Sequence, residues 1–533
     1  MSTLIPIKTR IELARSFFRD VANVNDFLYV FFGHTTKWDM SDTVPTLTDT
    51  KANLASVHQN ILAVKRVQLS DIVFMIRRED WLSGTTYDRY DDVVNLSSKN
   101  FYVYNPDNFC IYKCLNRQDY IDGSVAVSSV NIPTSTTPEK FSTADGYWWR
   151  LVYFVPAADR LKFLTSTLIP VRFYSSSTIF DCSGIIEKID VTNGGTGYTE
   201  PPAVIITGDG KGAAAQATIN SDGSVDSVSI VCAECAGGSG YTWAEISFQS
   251  ESGTGAVAVP TLISPDIPDS LNVDIAAAAQ ATAGSIDFVD ILNINTSGRG
   301  SNYTPETIFQ VIGDGKNATV SVTFVEEGTG NIDSISTEGV GLNYTFASIQ
   351  TIGDGNDAEL KPIISPLYGH GGNVPNELFA TTLCISVDLE DYVSDFFIGN
   401  DYRQVGLIKN IKKYGVNGTI FDSLTGNGSY VMQVTDPSNY NNDDEITTDS
   451  GGIFTVVAVS GNFVKLLPSI DFISEASVLF NVTTSGSLAS IVEGSLVSPE
   501  INTKTGDIIY LQNMAPITRQ ANQTETFTTF LNF

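Results

Sequence analysis

The chain is poor in the residues that most catalytic and metal sites use. Of its 533 residues only three are histidines and six are cysteines. His34, His58 and His370 belong to no HExxH motif, and the chain has neither a GxSxG elbow nor a GxxxxGK[ST] phosphate loop. General base catalysis also needs a positioned partner, and the sequence identifies none. We therefore expect no enzyme activity, no catalytic or cofactor-binding residues and no cofactor.

One histidine has an unusual setting, in Tyr368–Gly369–His370–Gly371–Gly372. Such a loop could bring an imidazole to a substrate. Alternatively, its glycines allow a tight backbone path between packed elements, and the histidine bridges groups locally. The second interpretation is favoured because no catalytic partner is evident.

The six cysteines are too few and too scattered for a disulfide framework. They are Cys110, Cys114, Cys182, Cys232, Cys235 and Cys384. Cys232 and Cys235 have a CxxC spacing, and Cys110 with Cys114 could complete a four-sulfur zinc site. No flanking histidine or second CxxC supports that site, so reduced, buried thiols are favoured and no metal site is predicted.

Basic residues are scarce as well. The chain has 31 Lys and Arg against 60 Asp and Glu, a formal net charge of −29, which repels phosphate backbones and argues against nucleic acid as a partner. The longest apolar run, Phe27–Phe32, is far shorter than the ~20 residues that a membrane-spanning helix needs. Pro6, Lys8 and Arg10 interrupt any signal-peptide core. We expect a soluble protein, made in the cytoplasm, with no membrane partner.

Apolar periodicity and turn residues predict a mainly β, multi-domain protein with a small α/β part, β-sandwich-like modules and inserted Gly-rich β repeats. Helices are predicted from a Thr9 cap to Val21 and over Ala52–Val67. The predicted domains are 1–180 (N-terminal α/β core), 185–265 and 286–366 (inserted β-repeat modules), 367–415 (return to the core), 416–499 (β-sandwich-like module) and 500–533 (C-terminal strands completing the core).

An internal repeat fills the inserted region. Each copy contains a tyrosine followed by threonine, and Tyr241 follows Tyr198 by 43 residues as Tyr344 follows Tyr303 by 41. The spacing indicates a two-copy unit that has been duplicated, with a linker over 264–283 between the two modules.

Three of the four copies also contain a Gly-Asp-Gly turn, and the second has Ser252–Gly253–Thr254–Gly255 in its place. Asp209, Asp314 and Asp354 could bind calcium if their loops met, but calcium takes about six to eight oxygens and each loop offers one carboxylate. A turn residue that hydrogen-bonds its own backbone is the favoured interpretation, and calcium stays open.

The repeat tyrosines suggest a second class of function. Tyr198, Tyr303 and Tyr344, with Trp243, could present aromatic platforms to sugars, as in a receptor- or carbohydrate-binding tail adhesin. The simpler expectation is that each tyrosine packs over its own glycine turn.

Several segments outside the repeats resemble the baseplate wedge protein that T-even-type contractile phages encode in their gene eight. They are Phe109–Leu115, Asp145–Tyr153 with Phe163–Thr165 and Leu168–Val171, Gly369–Asn373 with Asp401–Gly406, and Gly506–Tyr510 with Pro516–Arg519 and Gln523–Glu525. Their order along the chain carries the resemblance, which covers roughly 1–175, 365–415 and 500–533. The modules at 185–366 depart from the family, so their role does not follow from it.

The resemblance implies a structural, non-enzymatic protein of the virion, located in the tail baseplate. Such a protein would form a homodimer within each wedge, bind other baseplate wedge proteins and help to assemble the baseplate around the tail tube. Large β faces and a low lysine content suit an assembly part, because ordering long lysine side chains at an interface is costly.

Overall fold

The computed structural model of the protein describes residues 5–22, 27–38, 43–173, 186–208, 212–230, 241, 243–250, 252–262, 270–389, 401–416, 418–447, 453–468, 492, 495–517 and 525–533. In these ranges the protein is mainly β, with several antiparallel sheets and few helices, which confirms the predicted fold class. No helix within them is long and apolar enough to cross a bilayer.

The helices of the described ranges are α1 (Ile7–Ala22), α2 (Lys51–Gln59), α3 (Gln118–Asp122), α4 (Ala157–Phe163), α5 (Ser270–Ala281) and α6 (Val374–Glu377). The strands before the repeats are β1 (Leu28–Gly33), β2 (Ile61–Arg66), β3 (Ile72–Arg77), β4 (Tyr102–Asn105), β5 (Cys110–Arg117), β6 (Lys140–Ser142), β7 (Tyr147–Phe154) and β8 (Leu168–Val171).

The repeats contain β9 (Ile186–Thr196), β10 (Ala203–Gly208), β11 (Ala215–Ile219), β12 (Val225–Ile230), β13 (Ala244–Gln249), β14 (Thr254–Leu262), β15 (Ile286–Ile291), β16 (Arg299–Ser301), β17 (Ile308–Gly313), β18 (Lys316–Val325), β19 (Ile332–Leu342), β20 (Ala347–Ile352), β21 (Asn356–Ala358) and β22 (Leu360–Ile364). After them come β23 (Thr382–Leu389), β24 (Gln404–Lys409), β25 (Lys412–Lys413), β26 (Thr425–Asn427), β27 (Tyr430–Gln433), β28 (Glu445–Thr447), β29 (Ile453–Ser460), β30 (Phe463–Pro468), β31 (Ile501–Asn502), β32 (Asp507–Asn513) and β33 (Glu525–Asn532).

Both predicted helices differ in part from the observed ones. α1 begins at Ile7, directly after Pro6, so Thr9 lies inside the helix and not at its cap. The helix predicted over Ala52–Val67 is wrong in its second half, because α2 ends at Gln59 and β2 follows. Residues of β2 pair with β1, so tertiary pairing overrides local helix propensity there.

The chain forms two compact units. The first comprises residues 1–15, 73–384 and 531–533, and the second comprises 16–72 and 385–530. Residues 16–72, predicted with the N-terminal core, thus group with later strands, and 367–415 is divided between the units.

In the first unit, the central sheet has the order β4-β5-β7-β6. Every residue of β5 is buried, and its core includes Tyr112, Tyr147 and Trp149. The predicted linker contains α5, which packs on this sheet: Asn272 accepts a hydrogen bond from the Phe154 amide (2.9 Å) and donates one to the Phe154 carbonyl (2.8 Å). This part of the linker is therefore built into the core.

The two repeat modules have separate hydrophobic cores. The first is a six-stranded antiparallel sheet, β13-β10-β11-β12-β9-β14, with a core that includes Ile189, Tyr198 and Tyr241. The second contains the sheet β19-β18-β17-β20 and the pairs β15–β22 and β16–β21 around Tyr303, Phe309 and Ile332.

The second unit contains a five-stranded sheet, β26-β2-β1-β24-β32, in which every residue of β1 is buried. The hydroxyl of Tyr29 in β1 lies 2.9 Å from the carbonyl oxygens of both Phe421 and Ser423. A separate antiparallel sheet, β27-β30-β29-β28, lies in the segment predicted as a β-sandwich-like module and surrounds Met432, Phe454 and Val456.

Candidate functional site

Four ionisable side chains meet inside the first unit, contributed by three separate stretches of chain. Lys113 lies in the buried strand β5 and Asp287 in β15 at the start of the second repeat module. His370 lies in the glycine-rich loop after β22, and Glu377 ends α6. We call these four residues the buried cluster; Lys113 and His370 are fully buried, and the other two side chains are 5–6% exposed.

The glycines bring His370 into this position. A β-carbon on Gly369 would lie only 1.9 Å from the carbonyl oxygen of Ala279. A β-carbon on Gly372 would lie only 2.0 Å from the carbonyl oxygen of Tyr368, so neither position has room for a side chain. Gly369 and Gly371 also have positive φ angles, of 73° and 87°. The predicted tight backbone path and local bridging by His370 are both present.

The contacts within the cluster are short. Lys113 Nζ lies 2.6 Å from Glu377 Oε1 and 2.8 Å from His370 Nδ1. His370 Nδ1 lies 3.1 Å from Glu377 Oε1, and His370 Nε2 lies 2.6 Å from Asp287 Oδ2. Glu377 Oε2 accepts a hydrogen bond of 2.7 Å from the Gly371 amide. One imidazole nitrogen thus contacts both the lysine amine and the glutamate oxygen.

Burial and charge act on these groups in opposite directions. Burial lowers the pKa of Lys113, since it disfavours the ammonium form. Burial alone would raise the pKa of Glu377, but attraction to Lys113 and contacts with His370 outweigh it and lower that pKa to about 2. Burial likewise opposes ionisation of Asp287, and attraction to His370 reverses the effect and lowers the pKa. Both acids are therefore ionised at neutral pH.

Aromatic rings and further cations surround the lysine. Lys113 Nζ lies 3.7 Å from the centre of the Tyr90 ring, and that ring meets the His370 ring edge to face. Arg150 is 5% exposed and donates to the Ala278 carbonyl and the Thr282 hydroxyl. Lys113 and His370 are thus enclosed by protein and have no exposed side-chain surface.

A second buried ionic network attaches the second repeat module to the central sheet. Arg89 forms a bidentate ion pair with the carboxylate of Asp290 in β15. Its guanidinium also donates a hydrogen bond to the Asn116 side-chain oxygen in β5 (3.2 Å). Lys361 of β22 donates to Asp91 at 2.6 Å. The module is thus held at both of its terminal strands by charge-assisted hydrogen bonds.

The repeat tyrosines make contacts across copies, which the expectation that each packs over its own turn did not include; the ring of Tyr303 also lies against Gly300 of its own copy. Tyr303 of the third copy covers Gly355 of the fourth, and Tyr344 of the fourth covers Gly315 of the third. Tyr198 similarly covers Gly253 of the second copy. Each of these hydroxyls accepts a hydrogen bond from an alanine amide three residues after the covered glycine, namely Ala358, Ala318 and Ala256.

The turn aspartates Asp314 and Asp354 hydrogen-bond their own backbone, as expected, and they also bond across copies. Asp314 accepts hydrogen bonds from the amides of Thr345 (2.8 Å) and Phe346 (3.2 Å) and from the Thr345 hydroxyl (2.5 Å). Asp354 accepts one from Thr307 (2.7 Å). In the degraded copy, Ser252 takes this role and accepts from the Thr199 amide and hydroxyl. Asp209 lies outside the described residues.

The tyrosines considered as sugar platforms, Tyr198, Tyr303 and Tyr344, are buried and each is 4% exposed, as is Tyr241 of the second copy. Exposed aromatic surface comes instead from Trp243 (52%) and Phe346 (61%), which occupy the same position, two residues after the tyrosine, in the two modules.

The remaining histidines, and the cysteines within the described residues, are packed, hydrogen-bonded or buried. His34 stacks on Trp38 with 3.9 Å between ring centres, and His58 donates through Nδ1 to the Thr503 carbonyl at 2.7 Å. Cys110, Cys114 and Cys384 are buried free thiols, and burial raises the pKa of Cys114 and Cys384. Cys182, Cys232 and Cys235 lie outside the described residues.

Sequence reasoning identified only His370 of the buried cluster. A signal for Lys113 did exist, because a single cation interrupts the apolar run Phe109–Leu115. The sequence around Asp287 and Glu377 does not mark them in this way, and only the fold brings them to the cluster. No model of a known protein family matches this chain, and no curated protein matches it.

Proposed function

We propose that this protein is a structural, non-enzymatic component of a contractile phage tail baseplate wedge, which dimerises and binds neighbouring wedge proteins around the tail tube. The observation that carries the proposal is that several of the segments similar to the wedge family lie on paired strands or contact one another within a unit. The Phe109–Leu115 segment contributes to β5 and the Asp145–Tyr153 segment to β7, and the two pair, for example Ile111 opposite Tyr153; Lys113 of the first segment contacts His370 of the third.

The same holds in the second unit. Asp401–Gly406 enters β24, which pairs with β32 of the Gly506–Tyr510 segment through contacts such as Leu407 opposite Tyr510. A resemblance carried by segments on neighbouring strands supports a shared core. Buried ionic networks that hold the second module support a rigid part, as an assembly role requires.

Co-expression with the neighbouring wedge proteins tests the proposal. We expect the full-length chain to co-migrate with them in size-exclusion chromatography, and to be dimeric alone by light scattering. A variant in which 186–262 is replaced by a short Gly-Ser linker is the matched control. The deleted first module has its own hydrophobic core, so the rest of the chain should still fold and assemble without it. A folded full-length chain that binds none of the wedge proteins would refute the role.

A tail adhesin is the second proposal, and the exposed pair Trp243 and Phe346 is the observation that favours it. Aromatic side chains at one repeated position could present two equivalent sugar platforms. Glycan-array binding that is lost in Trp243→Ala and Phe346→Ala, while wedge assembly is absent, would favour this function over the first.

A further inference from the structure

The buried cluster contains the parts of an acyl-transfer site but is closed to outside substrates. A nucleophilic amine, an acid–base group, a residue that orients it and an oxyanion donor are the parts such a site needs. Lys113, His370, Asp287 and the Gly371 amide fill these four roles around the carboxyl group of Glu377. We propose that Lys113 and Glu377 react with each other to form an intramolecular amide bond that crosslinks β5 to α6.

The two reacting groups are in direct contact. Lys113 Nζ lies 2.6 Å from Glu377 Oε1, and burial holds the amine and the carboxyl group together without competing water. His370 Nδ1 is within hydrogen-bonding distance of both the amine (2.8 Å) and Oε1 (3.1 Å), so one atom can remove protons from the nucleophile and deliver them to the departing oxygen.

The remaining contacts complete the geometry. Asp287 Oδ2 lies 2.6 Å from His370 Nε2 and accepts a hydrogen bond from it, so that in the neutral form of the imidazole, which the reaction uses, the lone pair is on Nδ1 and faces Lys113. The Gly371 amide donates to Oε2 at 2.7 Å, where negative charge develops when the amine adds to the carboxyl carbon. Oε2 is then the oxygen that remains as the amide carbonyl.

The step balances without any further reactant. The ammonium of Lys113 transfers one proton through His370 Nδ1 to Glu377 Oε1, which leaves a neutral amine beside a neutral carboxylic acid. The amine then attacks the carboxyl carbon to form a C–N bond. His370 passes a second proton from the attacking nitrogen to Oε1, the C–Oε1 bond breaks, and water leaves. An ammonium and a carboxylate become one neutral amide and one water, so the bond also removes a buried pair of charges.

The proposal is independent of the wedge function, since the reaction happens once per chain and turns over no substrate. Its structural effect would be to close a covalent loop over residues 113–377, which include the start of the second module, where Asp287 lies. Such a bond would make the attachment of that module resistant to mechanical and thermal opening.

Peptide mass spectrometry of the full-length, folded protein tests it. We expect a branched peptide that joins Lys113 to Glu377, with a mass about 18 Da below the sum of the two linear peptides because one water is lost. The ion pair of Lys361 and Asp91 is a matched internal control, since it has the same 2.6 Å contact but belongs to the Arg89 network. Its two residues should stay in separate peptides.

Two variants separate bond formation from simple ion pairing. Lys113→Arg keeps the charge but should abolish the branched peptide, and His370→Asn should slow its formation at least tenfold. Recovery of Lys113 and Glu377 only in linear peptides, from folded wild-type chain incubated at neutral pH, would overturn the proposal whether or not either variant folds. Undiminished crosslinking in His370→Asn would overturn the role of His370.

Discussion

The ring of Tyr344 covers Gly315 so closely that a β-carbon on the glycine would lie 2.3 Å from the ring. The two residues belong to different repeat copies, and Tyr303 and Gly355 make the reciprocal contact. This exchange explains why the copies occur in pairs: each supplies the ring that closes the other's turn.

Replacing Gly315 with alanine should therefore destabilise the second module. Because the ring of Tyr344 is buried and cannot swing away, the added methyl group overpacks the core, at a cost of about 1–3 kcal/mol. Hydrogen exchange of the β17 and β20 amides measures the loss. Gln350→Ala, on the exposed face of β20, is the control and should change protection little. Equal protection in both variants would contradict this packing.

The contact of Asp314 with Thr345 should make the turn sensitive to acid. Hydrogen bonds from the Thr345 side chain and amide lower the pKa of Asp314 from 3.8 to about 2. Since the folded pKa is depressed, this stabilisation is complete above about pH 4 and is lost as the pH falls toward 2.

NMR titration of the Thr345 and Phe346 amides between pH 5 and pH 2 would follow that loss. In Asp314→Asn the amide oxygen still accepts hydrogen bonds but does not titrate, so the pH dependence should vanish. Calcium bound at these turns would instead shift the same resonances at neutral pH when the ion is added, an effect that the hydrogen-bonding role does not predict.

Arg89, which attaches the second module to the central sheet, should matter far more than Arg299, whose ion pair lies within that module. Arg89→Met leaves the Asp290 carboxylate, which is 4% exposed, without its cation, at a cost of about 3–5 kcal/mol. Arg299→Met is the matched control, because its partner Asp333 is 45% exposed and such pairs contribute about 0–1 kcal/mol. Limited proteolysis within 286–364 gives the readout, and similar cleavage rates for the two variants would refute the difference.

Deletion of the second module should unfold the central sheet, whereas deletion of the first module should not. Removal of 286–364 takes away Asp287 and Asp290, so Lys113, His370 and Arg89 lose buried partners and the central sheet should unfold. Removal of 186–262 should leave that sheet intact. Near-ultraviolet circular dichroism reports on Trp149, Tyr112 and Tyr147 of its core. A native spectrum after the first deletion would show that the ionic networks are dispensable.

Much of the local structure follows from the sequence. The buried strand at Phe27–Phe32, the aromatic strand around Trp149 and the duplication of the tyrosine repeat are all visible as runs or spacings. The helix over Ala52–Val67 fails at its second half because residues there pair with β1, a contact that local periodicity does not report. The supposed linker over 264–283 contains a packed helix for a similar reason: Asn272 and Ile275 acquire their partners only in the fold.

By itself, the sequence determined that this is an acidic, mainly β protein with duplicated Gly- and Tyr-containing modules, because strand alternation, turn residues and repeat spacing are local properties. Only the tertiary structure decided that tyrosines cover glycines of the neighbouring copy, and that Lys113, Asp287, His370 and Glu377 form one cluster. Those partners lie tens to hundreds of residues apart, and long-range contacts of this kind arise from sheet register and loop path, which no single segment encodes.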